Sequence, residues 1–272
     1  MALDTILIIG CGNMAGAMLD GWLAGGVDPA RFTVVDPHAK DRRAGVRWLD
    51  ALPTQDRFDA VLLGVKPQAL GEIAPRVAPL VGGETMVLSI LAGVELAVLA
   101  KHFPKSSGWV RIMPNLAAAL GKSPLALASQ GLDIAAQEHV TALLDPLGTP
   151  EWFGEQDFNS VTALAGSGPA FVYRFIDALA QAGAELGLPA DKAARLALAM
   201  VEGAAALASA SPHDPGELAR RVASPGGVTQ AGLDALDEGE ALARLIHRTL
   251  RAARDRSAEM AAQARAPGRQ SG

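Results

Sequence analysis

The chain has 272 residues, 50% of them hydrophobic and 19% charged, which is enough to bury one large core or two smaller ones and too apolar for a disordered chain. A formal charge of −5, with no dense Lys/Arg run before the C-terminal tail, argues against a nucleic-acid surface. No apolar run is read as long enough to cross a bilayer, and Met1-Ala2-Leu3-Asp4 lacks the basic start of a secretory leader, so neither a membrane nor a secreted role is expected.

Thr5 to Ile9 is a short apolar, β-branched run that predicts a strand buried on both faces. Gly10-Cys11-Gly12-Asn13-Met14-Ala15 follows as G-x-G-x-x-A, and helical spacing continues to Leu23. Strand, glycine turn and helix in this order form the dinucleotide fingerprint. Gly10 turns the chain out of the strand, Gly12 leaves room for a pyrophosphate, and Ala15 lets the helix pack close. The free N–H groups and positive dipole end of the helix then face the phosphates. Cys11 is the single cysteine, so no internal disulfide forms and a reducing cytoplasm is the expected home. It reads either as a small buried loop residue or as a redox switch.

Phe32 to Asp36 predicts a second buried strand ending in an acid, the position that holds the adenosine ribose in this fold. Asp36 also reads as a solvated strand end. Arg42 and Arg43 follow, either as ligands of a 2′-phosphate or as surface charges. Further strands are expected at 46–49, 59–65, 85–91, 109–113 and 151–153, with intervening helices after Pro67, over 95–102 and over 133–144. Alternation of this kind gives a parallel, doubly wound sheet whose ligands lie beyond the carboxyl ends of the strands. Gly10, Asp36, Lys66, Gly93 and Asn115 all fall at those ends.

Beyond residue 158 strand signals vanish. Helices are expected over 171–186, 191–210, 214–223, 229–236 and 240–262, with a basic tail from Ala264. The chain is therefore α/β: a Rossmann-like doubly wound domain over 1–158, then an all-α domain over 159–272. The helical half is rich in alanine and poor in charge, which suits helices covered by a second copy of the chain. Two glycine breaks, Gly166-Ser-Gly168-Pro169 and Ser224-Pro-Gly226-Gly227, each precede a helix. They read as anion sites fit for a carboxylate, or as plain helix connections. The five histidines lie outside the glycine turn and both glycine breaks, and no metal site is expected.

Gly10 to Ala15, Val65-Lys66-Pro67, Arg111-Ile-Met-Pro-Asn115, Gly166-Ser-Gly-Pro-Ala170 and Ser224-Pro-Gly-Gly-Val-Thr229, in this order, resemble pyrroline-5-carboxylate reductase from end to end. The resemblance implies hydride transfer from NADPH or NADH to the C=N bond of 1-pyrroline-5-carboxylate, giving L-proline. It also implies a helical dimerisation domain and an assembly as a dimer or a ring of dimers. By the resemblance, Ser224, Gly226 and Gly227 hold the substrate carboxylate, with Gly168 also on the substrate side. Thr229 bonds the ring nitrogen as the catalytic residue. Gly10, Gly12, Asn13, Met14, Ala15, Asp36, Val65, Lys66, Pro67 and Asn115 lie on the cofactor. The chain departs from the pattern at Asn115-Leu-Ala-Ala, where the family continues Thr-Pro, and at Asp36, where it often has Ser or Thr. A β-hydroxyacid dehydrogenase would want a lysine early in the helical half, and Phe171-Val-Tyr-Arg-Phe-Ile-Asp-Ala has none. A non-catalytic dinucleotide sensor would not need Ser224 to Thr229.

Overall fold

The computed structural model describes residues 3–265. The tail expected from Ala264 falls outside the described residues beyond Arg265. Eight strands form one sheet: β1 (Ile6–Ile9), β2 (Phe32–Val35), β3 (Arg47–Leu49), β4 (Ala60–Leu63), β5 (Met86–Ser89), β6 (Gly108–Met113), β7 (Ser123–Gln130) and β8 (Gly148–Trp152). Their spatial order is β3-β2-β1-β4-β5-β6-β7-β8. The six from β3 to β6 run parallel, and β7 then pairs antiparallel with β6 and parallel with β8.

The period-two alternation of the strands fills two cores. Ile6 and Ile8 face Met18, Leu19 and Trp22 of α1 (Asn13–Ala24) and Val140, Leu143 and Leu144 of α4 (Ile134–Leu144). Leu7 and Ile9 face the other side, with Leu70 and Val77 of α2 (Leu70–Val77) and Leu99 of α3 (Leu96–His102). Each such side chain contributes about 1.5–3 kcal/mol by leaving water. Trp22 stacks on Phe32, ring centroids 5.1 Å apart, and its indole N–H donates to the Leu143 carbonyl at 2.7 Å. That bond ties the first helix of the nucleotide turn to the last helix of the sheet.

β7 has no counterpart in the strands expected from the sequence. Its residues, Ser-Pro-Leu-Ala-Leu-Ala-Ser-Gln, include none that are β-branched or aromatic. Its alternation nevertheless has a purpose. Leu125 and Leu127 enter the α1–α4 core, while Ala126 and Ala128 leave room on the opposite face for Phe158 of the short helix α5 (Phe158–Val161). The sheet is consequently mixed rather than wholly parallel. Its order from β3 to β6 is the doubly wound one.

The chain divides into two compact units. One is Met1–Gly166 joined by the chain from Ala253 onward; the other is Ser167–Ala252. The expected boundary at residue 158 falls after the last strand, which ends at Trp152. The units part at Gly166 because Phe158 and Ala163 are buried with the sheet domain. The second unit contains α6 (Gly168–Glu185), α7 (Ala190–Ala210), α8 (Pro215–Val222), α9 (Val228–Asp237) and the start of α10 (Ala241–Arg265). Asp214 caps α8, its carboxylate accepting from the Glu217 N–H at 2.9 Å. α6 packs on α7 through small residues, with Gly183 against Ala193. Tyr173, Phe175, Leu196, Leu198, Met200 and Leu207 remain exposed on these two helices. α7 is also long and apolar enough to cross a membrane by length and composition, contrary to the expectation that no such run exists. The C-terminal part of α10 belongs to the sheet unit. Ser257 Oγ bonds Asn159 Oδ1 at 2.9 Å, and Ala261 packs over Gly93, whose φ is +76°.

α1 lies so close to the 3-10 turn Leu116–Leu120 that a Cβ on Gly21 would collide with the Ala118 carbonyl oxygen. Gly21→Ala tests this contact by its sign. Helix propensity alone stabilises by about 1 kcal/mol, whereas overpacking destabilises by about 1–3 kcal/mol. Urea denaturation is expected to show a net loss; a more stable variant would contradict the close approach.

Candidate active site

The turn from β1 into α1 is built by three small residues. Gly10 has φ +81°, and a Cβ there would lie 2.8 Å from Val65 Cγ1. Gly64 abuts the Gly10 carbonyl oxygen and the Ala15 Cβ. The segment Val65-Lys66-Pro67 therefore begins against the glycine turn. Lys66 is exposed, preceding the 3-10 turn that Pro67 opens.

Gly12 differs from Gly10. Its φ of −71° and ψ of −165° suit any residue, and a Cβ would meet nothing within 4 Å. Nothing in the chain itself requires glycine there. The first turn of α1 has neither a side-chain cap nor an acidic residue. An exposed Asn13 opens the helix, Met14 is half-buried and Ala15 fully buried. An uncapped helix N-terminus behind a glycine with open space over it fits a dinucleotide pyrophosphate.

Beside it lies a cavity of about 580 Å³, lined among others by Gly12, Asp36, Lys40, Arg43 and Leu116. Asp36 is oriented from both oxygens: Oδ2 accepts the Cys11 N–H at 2.7 Å and Oδ1 the His38 N–H at 2.9 Å. The acid thus braces the glycine turn as well as lining the cavity. Arg43 grips Asp20 with two bonds of 2.8 and 2.9 Å, and that carboxylate raises its pKa. Arg42 instead pairs with Asp50. Of the two arginines, only Arg43 lines the cavity, and its charge is already matched. Burial pushes the Cys11 thiol up to about 11, with Arg43 pulling the other way and Asp36 and Asp20 adding to the rise. Such a thiol stays protonated at neutral pH, which favours packing over a redox role.

Asn115, expected on the cofactor, is 5% exposed with both ends of its amide engaged by backbone. Its Oδ1 accepts the Ala117 N–H at 2.9 Å and its Nδ2 donates to the Ala165 carbonyl at 3.1 Å. It therefore braces the main chain at the end of this segment. The residue after it, Leu116, reaches the cavity wall where the sequence departs from the family pattern. Arg111 and Glu155, unnoticed as a pair in the sequence, form an ion pair of 2.9 Å with Arg111 buried. The signal for it was an arginine inside the apolar run Trp-Val-Arg-Ile-Met.

In the second unit, Pro225 and Gly226 form a tight turn in which Gly226 has φ +70° and the Gly227 N–H donates to the Ser224 carbonyl at 2.9 Å. A Cβ on Gly227 would strike Ser224 Oγ. α9 starts immediately afterwards without a side-chain cap, and both Ser224 and Thr229 are exposed. Thr229 is thus not the cap of its own helix. α6 also lacks a side-chain cap, and Gly168, its first residue, has open space where a Cβ would stand. Among the described residues no three His, Cys, Asp or Glu side chains gather as a metal site.

A mostly parallel sheet whose first turn leaves a helix N-terminus bare, followed along the chain by a helical unit, defines a Rossmann-type dinucleotide-binding protein. Comparison with known proteins narrows this class. Residues 5–93 match the family described as NADP oxidoreductase, coenzyme F420-dependent, and residues 155–260 match pyrroline-5-carboxylate reductase dimerisation. The chain is 36% identical to the pyrroline-5-carboxylate reductase of Pseudomonas aeruginosa over 271 residues, 97% of this chain and 99% of that one. It superposes on the pyrroline-5-carboxylate reductase structure from Coxiella burnetii with a TM-score of 0.86 at 29% identity, covering 95% and 98% of the two chains. The Plasmodium falciparum pyrroline carboxylate reductase, solved with NADP bound, shares the fold at a TM-score of 0.81 and 22% identity, over 96% of this chain and 99% of that one. The chain belongs to the pyrroline-5-carboxylate reductase family, and is an NAD(P)-dependent oxidoreductase.

Gly12 offers a direct test because its backbone and its surroundings leave room for a side chain. Gly12→Val is expected to fold normally and to lose cofactor affinity by at least ~100-fold, equivalent to about 2.7 kcal/mol. Calorimetric titration of the folded variant measures this, and unchanged affinity would remove the pyrophosphate from this turn.

Proposed function

We propose that this chain reduces the C=N bond of 1-pyrroline-5-carboxylate to give L-proline, using NADPH or NADH. Beyond the family itself, the observation that carries this reading is the start of α9. There a bare helix N-terminus, two glycines and two free hydroxyls occur together. A small anionic imine needs such donors, and neither a metal nor a covalent nucleophile.

The bound nicotinamide supplies the hydride for the imine carbon. The residues of the chain orient the acceptor and manage its nitrogen. In this reading the Ser224 hydroxyl and the N–H groups of Gly226 and Gly227 hold the carboxylate, and Gly168 gives the substrate room at the start of α6. The Thr229 hydroxyl bonds the ring nitrogen, whose added proton it helps to hold as the double bond is lost. Gly10, Gly12, Asn13, Met14 and Ala15 cradle the pyrophosphate, while Val65, Lys66 and Pro67 lie along the adjoining ribose and nicotinamide. Asp36 accepts from the ribose hydroxyls.

The exposed apolar faces of α6 and α7 support assembly as a dimer, or as a ring of dimers, with a second copy covering them. The apolar surface of α7 is read as this interface and not as a membrane anchor. The balance of charge supports a small-molecule partner without nucleic acid, and the single, half-buried thiol suits a reducing cytoplasm.

Oxidation of NADPH and NADH with pyrroline-5-carboxylate tests the activity. Both cofactors are expected to work within about 100-fold in kcat/KM, because Asp36 opposes a 2′-phosphate that Lys40, on the cavity wall, attracts. No turnover with either would refute the reading. Thr229 separates chemistry from stability: it caps no helix, so its loss should leave Tm nearly unchanged, whereas a lost bond to nitrogen lowers kcat by about 10- to 100-fold. Thr229→Ser is expected to keep most activity and Thr229→Ala to lose most of it. An alanine variant that turns over normally would leave the nitrogen to water.

A further inference from the structure

Resting on the function just proposed, we infer that Asn115 is a positioning residue for the imine: it latches the segment that leads into Gly166-Ser-Gly-Pro169 and does not touch the cofactor. Arg111, Met113 and Asn115 recur at every second position and present to one face of β6. On that face the segment 155–166 is held at both ends. At its start, Arg111 lies 4.4 Å from the centroid of the Phe158 ring and bonds Glu155 Oε1 at 2.9 Å. The same oxygen accepts the Leu96 N–H at 2.7 Å, so Glu155 also fixes the start of α3.

At its end the helix widens into a π turn over Thr162–Gly166, a local form that frequently marks functional sites. The Ala165 carbonyl there needs a donor. At α-helical spacing the donor is residue 169, a proline without an N–H. At π spacing it is Ala170, whose N–H bonds the Ser167 carbonyl at 3.1 Å. Asn115 Nδ2 fills the gap at 3.1 Å. Its amide cannot turn over, because Oδ1 is fixed by the Ala117 N–H. Next in the chain, Gly166 lies against Met113, whose Sδ would be 3.2 Å from a Cβ at that position. Pro169 and the asparagine two residues past β6 are therefore two halves of one device. It sets where the chain leaves the sheet domain, one residue before the loop assigned to the substrate.

Asn115→Ser isolates the latch. A serine hydroxyl keeps the acceptor for Ala117 and adds no charge, but it cannot reach Ala165. Three readouts are expected together. The KM for pyrroline-5-carboxylate rises about 10-fold, as for a reacting group displaced by less than an ångström. The dissociation constants of NADH and NADPH, measured by fluorescence titration, stay within about 3-fold of wild type. Hydrogen exchange in the peptide spanning residues 162–170 accelerates while the sheet stays protected. A cofactor affinity that weakens in step with KM would make Asn115 a cofactor contact and overturn the inference, as would unchanged exchange. If the serine variant does not fold, Asn115→Asp, which keeps the cap and loses the donor, takes its place with the same expected exchange. The exchange readout needs no turnover, so wild-type inactivity toward the imine would sink the proposed function without touching the latch.

Discussion

Everything at the cofactor end depends on how closely three main-chain segments approach one another. Gly64 has no room for a side chain, because the Gly10 carbonyl and the Ala15 methyl already stand where one would go. This contact brings the end of β4 against the turn between β1 and α1. It aims α1 across the carboxyl edge of the sheet and places Val65-Lys66-Pro67 beside the glycine turn. The Trp22–Phe32 stack and the Trp22 bond to Leu143 then hold α1 along its length. A larger residue at any of the three positions would swing the helix, and with it the bare amides of its first turn.

The elements with strong local signals were legible in the sequence. The apolar, often β-branched runs at 6–9, 32–35, 60–63 and 86–89 are strands, and Asp214-Pro215-Gly216-Glu217 opens a helix as its capping pattern predicts. β7 was not legible because leucine and alanine fit its two faces by size, and neither residue type announces a strand. Asp36 and Asn115 were found as positions but not as partners. A strand-end acid looks the same whether it faces a ribose or the Cys11 amide. An asparagine before a helical turn looks the same whether it reaches a ligand or Ala165. Those distinctions are set by contacts between residues 25 and 50 positions apart, which no local pattern encodes.

The two units obey different packing rules. In the sheet unit, leucine, isoleucine and valine fill both faces of the sheet. In the helical unit, α6 has no buried residue and α7 buries only Ala193 and Ala197. A helix pair with small residues at its seam and large ones outside is half of a core, stable only when its outer surface is covered. The family match over residues 155–260, described by its dimerisation, accounts for that surface.

The bracing of Asp36 also bears on how this chain could change its cofactor. In many dinucleotide-binding proteins the acid after the second strand is a free-standing selector, exchangeable for a smaller residue when a phosphate must fit. Here the same carboxylate holds the Cys11 amide and so shapes the loop to which we assign the pyrophosphate common to both cofactors. Removing the acid would relieve repulsion at one end of the dinucleotide while slackening the grip at its middle. An evolutionary path from one cofactor to the other therefore passes through a poorer binder of both, unless the glycine turn acquires a second brace first.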